Sequence, residues 1–362
     1  MPRPRNRGAH RYLLGLLTGA ALVVTGLAAG ATPAYGASGW RDVAIPAPQP
    51  PATVDYVAAG DARNAWAIGR ENGADPGQGT PFQLRWDGTA WRREPGFPAA
   101  GEFVGAMSAA SARDAWAFGS SGSQWYAWHW ENDAWKPYLL PDQEGADVLV
   151  YQPLAAARGG AWAASESFLT SVLWHWDGRA WARQEVPADV AVFGLGARTA
   201  SDAWAVGYSR DGSNAAAAMH WDGHAWNVVD TSGLTGALIR VRPVSATSVY
   251  AVGSDNGFYL AHWNGTAWTR VPLPITTNVV NAIATNGGDR VWLAVQSDHA
   301  FQSLYLRYAK GRWAKVYGPE RTDVVEVKVN DIARVPGTST LWSAASAVVF
   351  QNPRTAIIEE RR

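Results

Sequence analysis

SDAWAVGYSRDGSNAAAAMHWDGHAWNVVD, residues 201–230, holds two apolar runs (AWAVG and AAMHW), a W-D-G-x-x-W turn and a third run, WNVV. Versions of this block recur along the chain, and its tryptophans belong to three series. The first is Trp66, Trp116, Trp162, Trp204, Tyr250, Trp292 and Trp342. The second is Trp86, Trp130, Trp176, Trp221, Trp263 and Tyr308. The third is Trp91, Trp135, Trp181, Trp226, Trp268 and Trp313, each five residues after its partner in the second. Successive members of the first series lie 42 to 50 residues apart. A period of that length, filled with short strands and tight turns, predicts the blades of a β-propeller.

Each repeat divides into four strand-sized runs, here lettered a to d. In the fifth they are GALIRVRPV (236–244), SVYAVG (248–253), FYLAHW (258–263) and AWTRVP (267–272). The c–d connections are WDGTAW, WENDAW, WDGRAW, WDGHAW, WNGTAW and YAKGRW, whose Asp-Gly and Asn-Gly pairs supply the positive φ of tight hairpins. No stretch after residue 37 offers a helical period. The ends set the number of blades. The last repeat has VVEVKVNDIARV (324–335), LWSAASAVVF (341–350) and TAIIEE (355–360), then stops without a d strand. GWRDVAIPAP at 39–48 is similar to AWTRVPLPIT at 267–276, which puts Trp40 in the seventh place of the third series. The expected fold is therefore all-β, a seven-bladed propeller of four-stranded antiparallel blades. Residues 39–46 complete the last blade and close the ring. The blades are expected near 53–97, 101–140, 147–187, 189–230, 235–273, 277–318 and 324–360, in one domain over 37–362.

In A-W-A-V-G, Trp and Val point to one face of the strand and the flanking Ala to the other, as wedge-shaped radial packing requires. The three series absorb 18 of the 21 Trp and leave Trp125, Trp128 and Trp174. Burying one Trp side chain contributes on the order of 4–6 kcal/mol before entropy costs, so these residues read as core rather than as a ligand platform. His129, His175, His220 and His262 each precede a second-series Trp. They sit in four different blades, too far apart to share a metal, and a structural hydrogen-bonding role is expected. Asn264-Gly-Thr266 matches a glycosylation acceptor but reads better as a c–d turn.

Residues 1–12 are basic, 13–31 are apolar, and TPAYGAS follows with small residues suited to cleavage after Gly36. This is the layout of a secretory signal peptide, 1–36, and predicts an exported, extracellular protein free of the membrane once cleaved. Removing 1–36 leaves 27 basic and 31 acidic residues, a net charge of −4 that gives no footprint for nucleic acid. The chain has no Cys, which excludes disulfides, thiolate metal sites and Cys nucleophiles.

At WDG in strand c and AVGYSRDG after strand b, the chain resembles the WD40 and kelch propeller families over residues 39–362. FQLRWDG (82–88) and AAMHWDG (217–223) are similar to the WD40 strand that ends in Trp-Asp. The Gly-His pair of WD40 repeats and the Gly-Gly doublet of kelch repeats are absent. The chain looks most like bacterial secreted propellers built from D-x-W-A-V-G…H-W-D-G-x-x-W repeats. That resemblance implies a propeller and transfers no active site.

In such a ring the short a–b and c–d turns share one face, and the variable b–c and d–a loops share the other. Binding is expected on the variable face. The ligand-binding candidates are Arg70, Trp125, Tyr126, Tyr208, Arg210, Asp211, Asp255 and Tyr259, because exposed aromatics among Asp, Asn and Arg suit a sugar or peptide. Glu166, Phe168, Asn214, Asp298, His299 and Phe301 lie in the same loops. No catalytic residue, metal or cofactor is assigned. The expectation is a monomeric, non-catalytic binding or scaffold propeller for an extracellular glycan, peptide or cell-surface protein. The alternative is a glycosidase or polysaccharide lyase on the same face. Arg70, Arg210 and Arg321 with Tyr208 or Tyr259 are its loose sialidase-like candidates. SRDGSNA (209–215) begins like an S-x-D-x-G-x-x-W box and fails at the Trp, and no G-x-S-x-G or H-E-x-x-H motif is present.

Overall fold

The computed structural model describes residues 39–362 except 74–77, 100, 147–152, 167–169, 188, 214, 278, 288–289 and 351–352. The expected signal peptide, Phe168 and Asn214 lie outside the described residues. The described chain forms seven four-stranded antiparallel sheets. The first blade comprises Thr53–Ala59, Ala65–Glu71, Thr80–Trp86 and Trp91–Glu94, strands a to d in order. Five more blades follow with strands spanning 102–139, 154–184, 190–229, 237–272 and 280–317. The seventh combines Val324–Arg334, Leu341–Val349 and Thr355–Arg361 with Trp40–Asp42 from the start of the domain. Trp40 pairs with Arg361 and Asp42 with Glu359, so the ring is closed by hydrogen bonding between the two ends. The seven-bladed fold and its closure are as the sequence predicts.

The hydrophobic core lies in the seams between blades. Trp66 faces blade two, where Trp130 and Trp135 stand 5.6 and 6.3 Å from it, centroid to centroid. Trp116 meets Trp176 and Trp181 of blade three at 5.2 and 5.1 Å, and Trp342 meets Trp86 and Trp91 of blade one at 4.9 and 5.2 Å. Trp66, Trp116, Trp204 and Trp342 are thus each boxed, at tilted to edge-on angles, by the second- and third-series rings of the adjoining blade, the geometry aromatic quadrupoles favour. The Ala residues flanking Trp66, Ala65 and Ala67, turn to the other side, into the cluster around Trp86, Trp91 and Trp342. Small side chains there make room for the neighbour's indole. Trp125, Trp128 and Trp174, outside the three series, are buried too.

The histidines serve this packing. His129 Nε2 lies 3.0 Å from Asp114 with its ring 4.1 Å from Trp116. His220 repeats the arrangement with Asp202 at 3.1 Å, and His262 with Ser248 at 3.0 Å. Asn132 and Asp133, and Lys310 and Gly311, carry the positive φ in two of the c–d turns, whereas in the W-D-G and W-N-G turns it falls on Gly88, Gly178, Gly223 and Gly265. The preceding Asp or Asn instead caps the turn, Asp222 Oδ1 accepting from the amides of His224 and Ala225 at 2.9 and 3.0 Å. Asn264 caps its turn in the same way, as the turn reading expects.

Candidate functional site: the central channel and its two mouths

The seven a strands line the axis, and six of them share an irregularity. Opposite strand b the register slips by one residue at Asp55, Gly105, Phe193, Ile239, Asn281 and Asn330. A β-bulge at this depth re-aims the side chains beside it. Several of these side chains tie one blade to the next. Asn281 Nδ2 donates to Val329 O at 2.6 Å, and Asn330 Nδ2 donates to Val54 O at 2.7 Å. Arg240 Nε donates to Asn281 O at 3.1 Å. Asp331 accepts from the amides of Val57 at 3.1 Å and Ile332 at 2.8 Å.

Two cavities result, meeting at Met107, Arg242 and Asp331. The one built from the beginnings of the a strands, on the b–c/d–a side, holds about 290 Å³ and is walled by Tyr56, Phe193, Arg240, Asn281 and Asn330. The one built from their ends, on the a–b/c–d side, holds about 450 Å³ and is walled by Arg158, Arg198, Arg242 and Arg334. Burial raises the Asp331 carboxyl, opposed by its two amide bonds and by Arg242 and Arg240. Burial, reinforced by Asp55 and Asp331, also raises the Tyr56 phenol, which stays protonated.

Against this geometry the loop candidates separate. Trp125 is 1% exposed and stacks on Phe118 at 5.2 Å. Tyr259 is fully buried, its hydroxyl donating to Thr235 O at 2.8 Å under the Arg270 guanidinium. The expected exposure of these two aromatics is corrected: both rings fill core space at the blade ends. Asp255 is engaged by Arg270 Nη1 at 2.5 Å and Thr235 Oγ1 at 2.7 Å. Asp211 caps its own loop through the Ser213 amide at 2.9 Å. Tyr126 packs on Trp128 at 5.8 Å, half-buried.

Arg210 inserts between blades three and four, reaching Glu166 Oε1 at 2.7 Å and Asp189 Oδ1 at 3.1 Å. Arg321 makes the parallel staple between blades six and seven, 2.7 Å from the buried Glu359. Arg70 pairs with Asp55 at 3.2 Å in blade one. The three arginines of the sialidase-like reading therefore sit at three separate places round the ring. Two candidates do adjoin the channel mouth: Arg70 through the bulge residue Asp55, and Tyr208 through Phe193, 5.3 Å away. Sequence reasoning missed the channel residues themselves. Their available signal was polar side chains in the middle of innermost strands, as in IRVRP at 239–243 and VNDIA at 329–333.

No family model matches the chain, and no curated protein sequence matches it. Many solved structures do. Virginiamycin B lyase from Staphylococcus aureus, solved as a catalytically inactive variant with quinupristin, superimposes with a TM-score of 0.62 at 10% identity, covering 89% of this chain and 99% of that one. U3-55K gives 0.59 at 12% identity over 90% and 99% of the two chains. YCF48 bound to a D1 peptide gives 0.56 at 15% identity over 89% and 96%. At such identities the likeness is one of fold, and the fold is the propeller.

Proposed function

We propose that this chain is a secreted, non-catalytic binding propeller whose b–c/d–a face takes an extended segment of an extracellular protein. The observation that carries this reading is what remains on that face once its charges are paired. Arg70, Arg93, Arg210, Arg270, Lys315 and Arg321 are each matched with a carboxylate. Large apolar side chains are exposed in the loops and strand starts of the same face: Phe301 at 49%, Val325 at 45% and Phe350 at 65% exposure. Backbone hydrogen bonds hold their segments together, the Arg321 amide donating to Phe301 O and the Phe350 amide to Asp323 O, both at 3.1 Å. Exposed apolar side chains among paired charges, on the face that also carries the channel mouth with Tyr56 and Phe193, suit peptide side chains. YCF48, which shares the fold, was solved with a peptide. The arrangement favours a peptide over a glycan because the polar groups that would fix hydroxyls are already engaged.

Selection of a displayed random-peptide library on the purified domain tests this. The expected result is an enriched apolar motif whose capture is lost in the Phe301→Ser, Phe350→Ser double variant at an unchanged melting midpoint. Enrichment indifferent to that double variant, or none above an unrelated propeller, refutes the proposal.

A further inference from the structure

We infer that the opposite mouth of the channel, on the a–b/c–d face, binds a small multivalent oxyanion, a polycarboxylate or an organic phosphate. Four guanidinium groups from blades three, four, five and seven (Arg158, Arg198, Arg242 and Arg334) line one cavity of about 450 Å³. Among the described residues only Arg198 of the four is ion-paired, its Nε 2.7 Å from Asp202. Arg242 is the most constrained. Its Nε is buried without a hydrogen-bond partner, and its Nη2 makes one long contact, 3.5 Å, to Ile283 O. Arg334 has a single contact of 3.4 Å, from Nε to Thr338 O. The wall's one acid, Asp331, accepts from the amides of Val57 and Ile332 and lies within electrostatic reach of Arg242, one carboxyl against four guanidinium groups.

Like charges gathered in a shared concavity repel, and a buried guanidinium short of acceptors is destabilising. A ligand with several carboxylate or phosphate oxygens relieves both, because guanidinium forks match those groups. Gly287 keeps the site open. A Cβ there would stand 2.7 Å from the Arg334 guanidinium, and its φ of +86° also favours glycine. The charge is confined to the funnel: Asp87, Asp177 and Asp222 cap c–d turns on the same face. That mixture disfavours a long polyanion and selects a ligand small enough to enter.

Calorimetric titration of the intact mature chain with citrate and with pyrophosphate, at matched ionic strength, tests the proposal; the two arms separate carboxylate from phosphate sources. One-to-one binding of either, absent with acetate, is expected. Weakening by roughly tenfold or more is expected in Arg242→Gln and in Arg334→Gln. Because Arg242 is set in the channel wall, Arg334→Gln provides the reading if the first variant fails to fold. No saturable binding by either anion, equal binding of acetate, or binding unchanged in Arg334→Gln overturns the proposal. Arg334 lines only this cavity, so peptide capture on the other face is unaffected by Arg334→Gln and the two sites are judged separately.

Discussion

Trp40 stands edge-on to Trp292 across the seam between blades six and seven, ring centroids 6.1 Å apart and planes at 83°. It also lies flat on Tyr305 at 4.0 Å. Residues far apart in sequence thus build an aromatic box like those that Trp66, Trp116 and Trp204 build with the next repeat. The second-series place at this seam is taken by Arg361, whose guanidinium lies 4.6 Å over Trp292, so Trp40 is the only indole that closes the box. Replacing it leaves a cavity at the joint that holds the ring shut. Trp40→Ala is expected to lower stability by about 3–5 kcal/mol, read as a drop in urea midpoint. An unchanged midpoint would show that closure does not depend on the N-terminal strand.

A seam inside the chain offers the comparison. Trp221 is 6% exposed, packs against His175 at 5.1 Å and donates from Nε1 to Ala200 O at 3.2 Å. Trp221→Ala is expected to cost roughly 3–5 kcal/mol as well. The two variants differ in kind, since only Trp40→Ala weakens the joint between the chain ends. Limited proteolysis should therefore release the N-terminal strand in Trp40→Ala and not in Trp221→Ala. Release in both, or in neither, contradicts that distinction.

Export is the next expectation, resting on the basic, apolar and small-residue order of residues 1–36. Expressed in full in a bacterial host, the protein is expected in the medium with Ala37 at its N-terminus, by mass spectrometry. A cell-bound product beginning at Met1 would show instead that the segment is retained.

The fold was legible because its determinants are local. A Trp or Tyr every 42 to 50 residues and, in four of the six c–d turns, an Asp-Gly or Asn-Gly encode blade and hairpin without reference to anything distant. Even closure could be read, since 39–48 and 267–276 carry the same strand pattern. The site was not legible, for two physical reasons. Loop residues that look free in sequence are paired across space: Asp255 with Arg270, and Arg210 with Glu166 of the preceding blade. And which residues of an a strand reach the channel depends on a bulge at Asp55, Phe193 or Asn330, which shifts the period-2 pattern by one.

The Arg210–Glu166 contact gives a prediction with a sign. Glu166 is 2% exposed and accepts from Val192 N at 3.1 Å and from Ser171 Oγ. Burial raises its carboxyl above the ordinary value, with Ser171 and Arg210 opposing. Arg210→Ala removes the countercharge and leaves a buried carboxylate, a loss of about 3–5 kcal/mol. A raised folded-state acid loses stability as pH climbs above its unfolded value. The deficit of the variant is therefore larger near pH 8 than near pH 5, about a unit above the unfolded carboxyl. A deficit independent of pH would mean that the arginine acts through packing alone.

His175 carries the opposite dependence. Its ring stacks on Trp162 at 4.8 Å, but Gly160 stands where blades two and four have Asp114 and Asp202, and its Nε2 is buried without a hydrogen-bond partner. Burial lowers its pKa, only partly offset by Asp177. The folded protein thus holds the neutral imidazole, while the unfolded chain takes up a proton below about 6.5. Between those two values falling pH draws the equilibrium toward the unfolded state. His175→Phe keeps a ring on Trp162 and removes the proton site. It is expected to show a smaller loss of stability than the parent between about pH 7 and pH 5, measured by urea denaturation at each pH. Identical slopes would mean that His175 is not the group that senses acid in this seam.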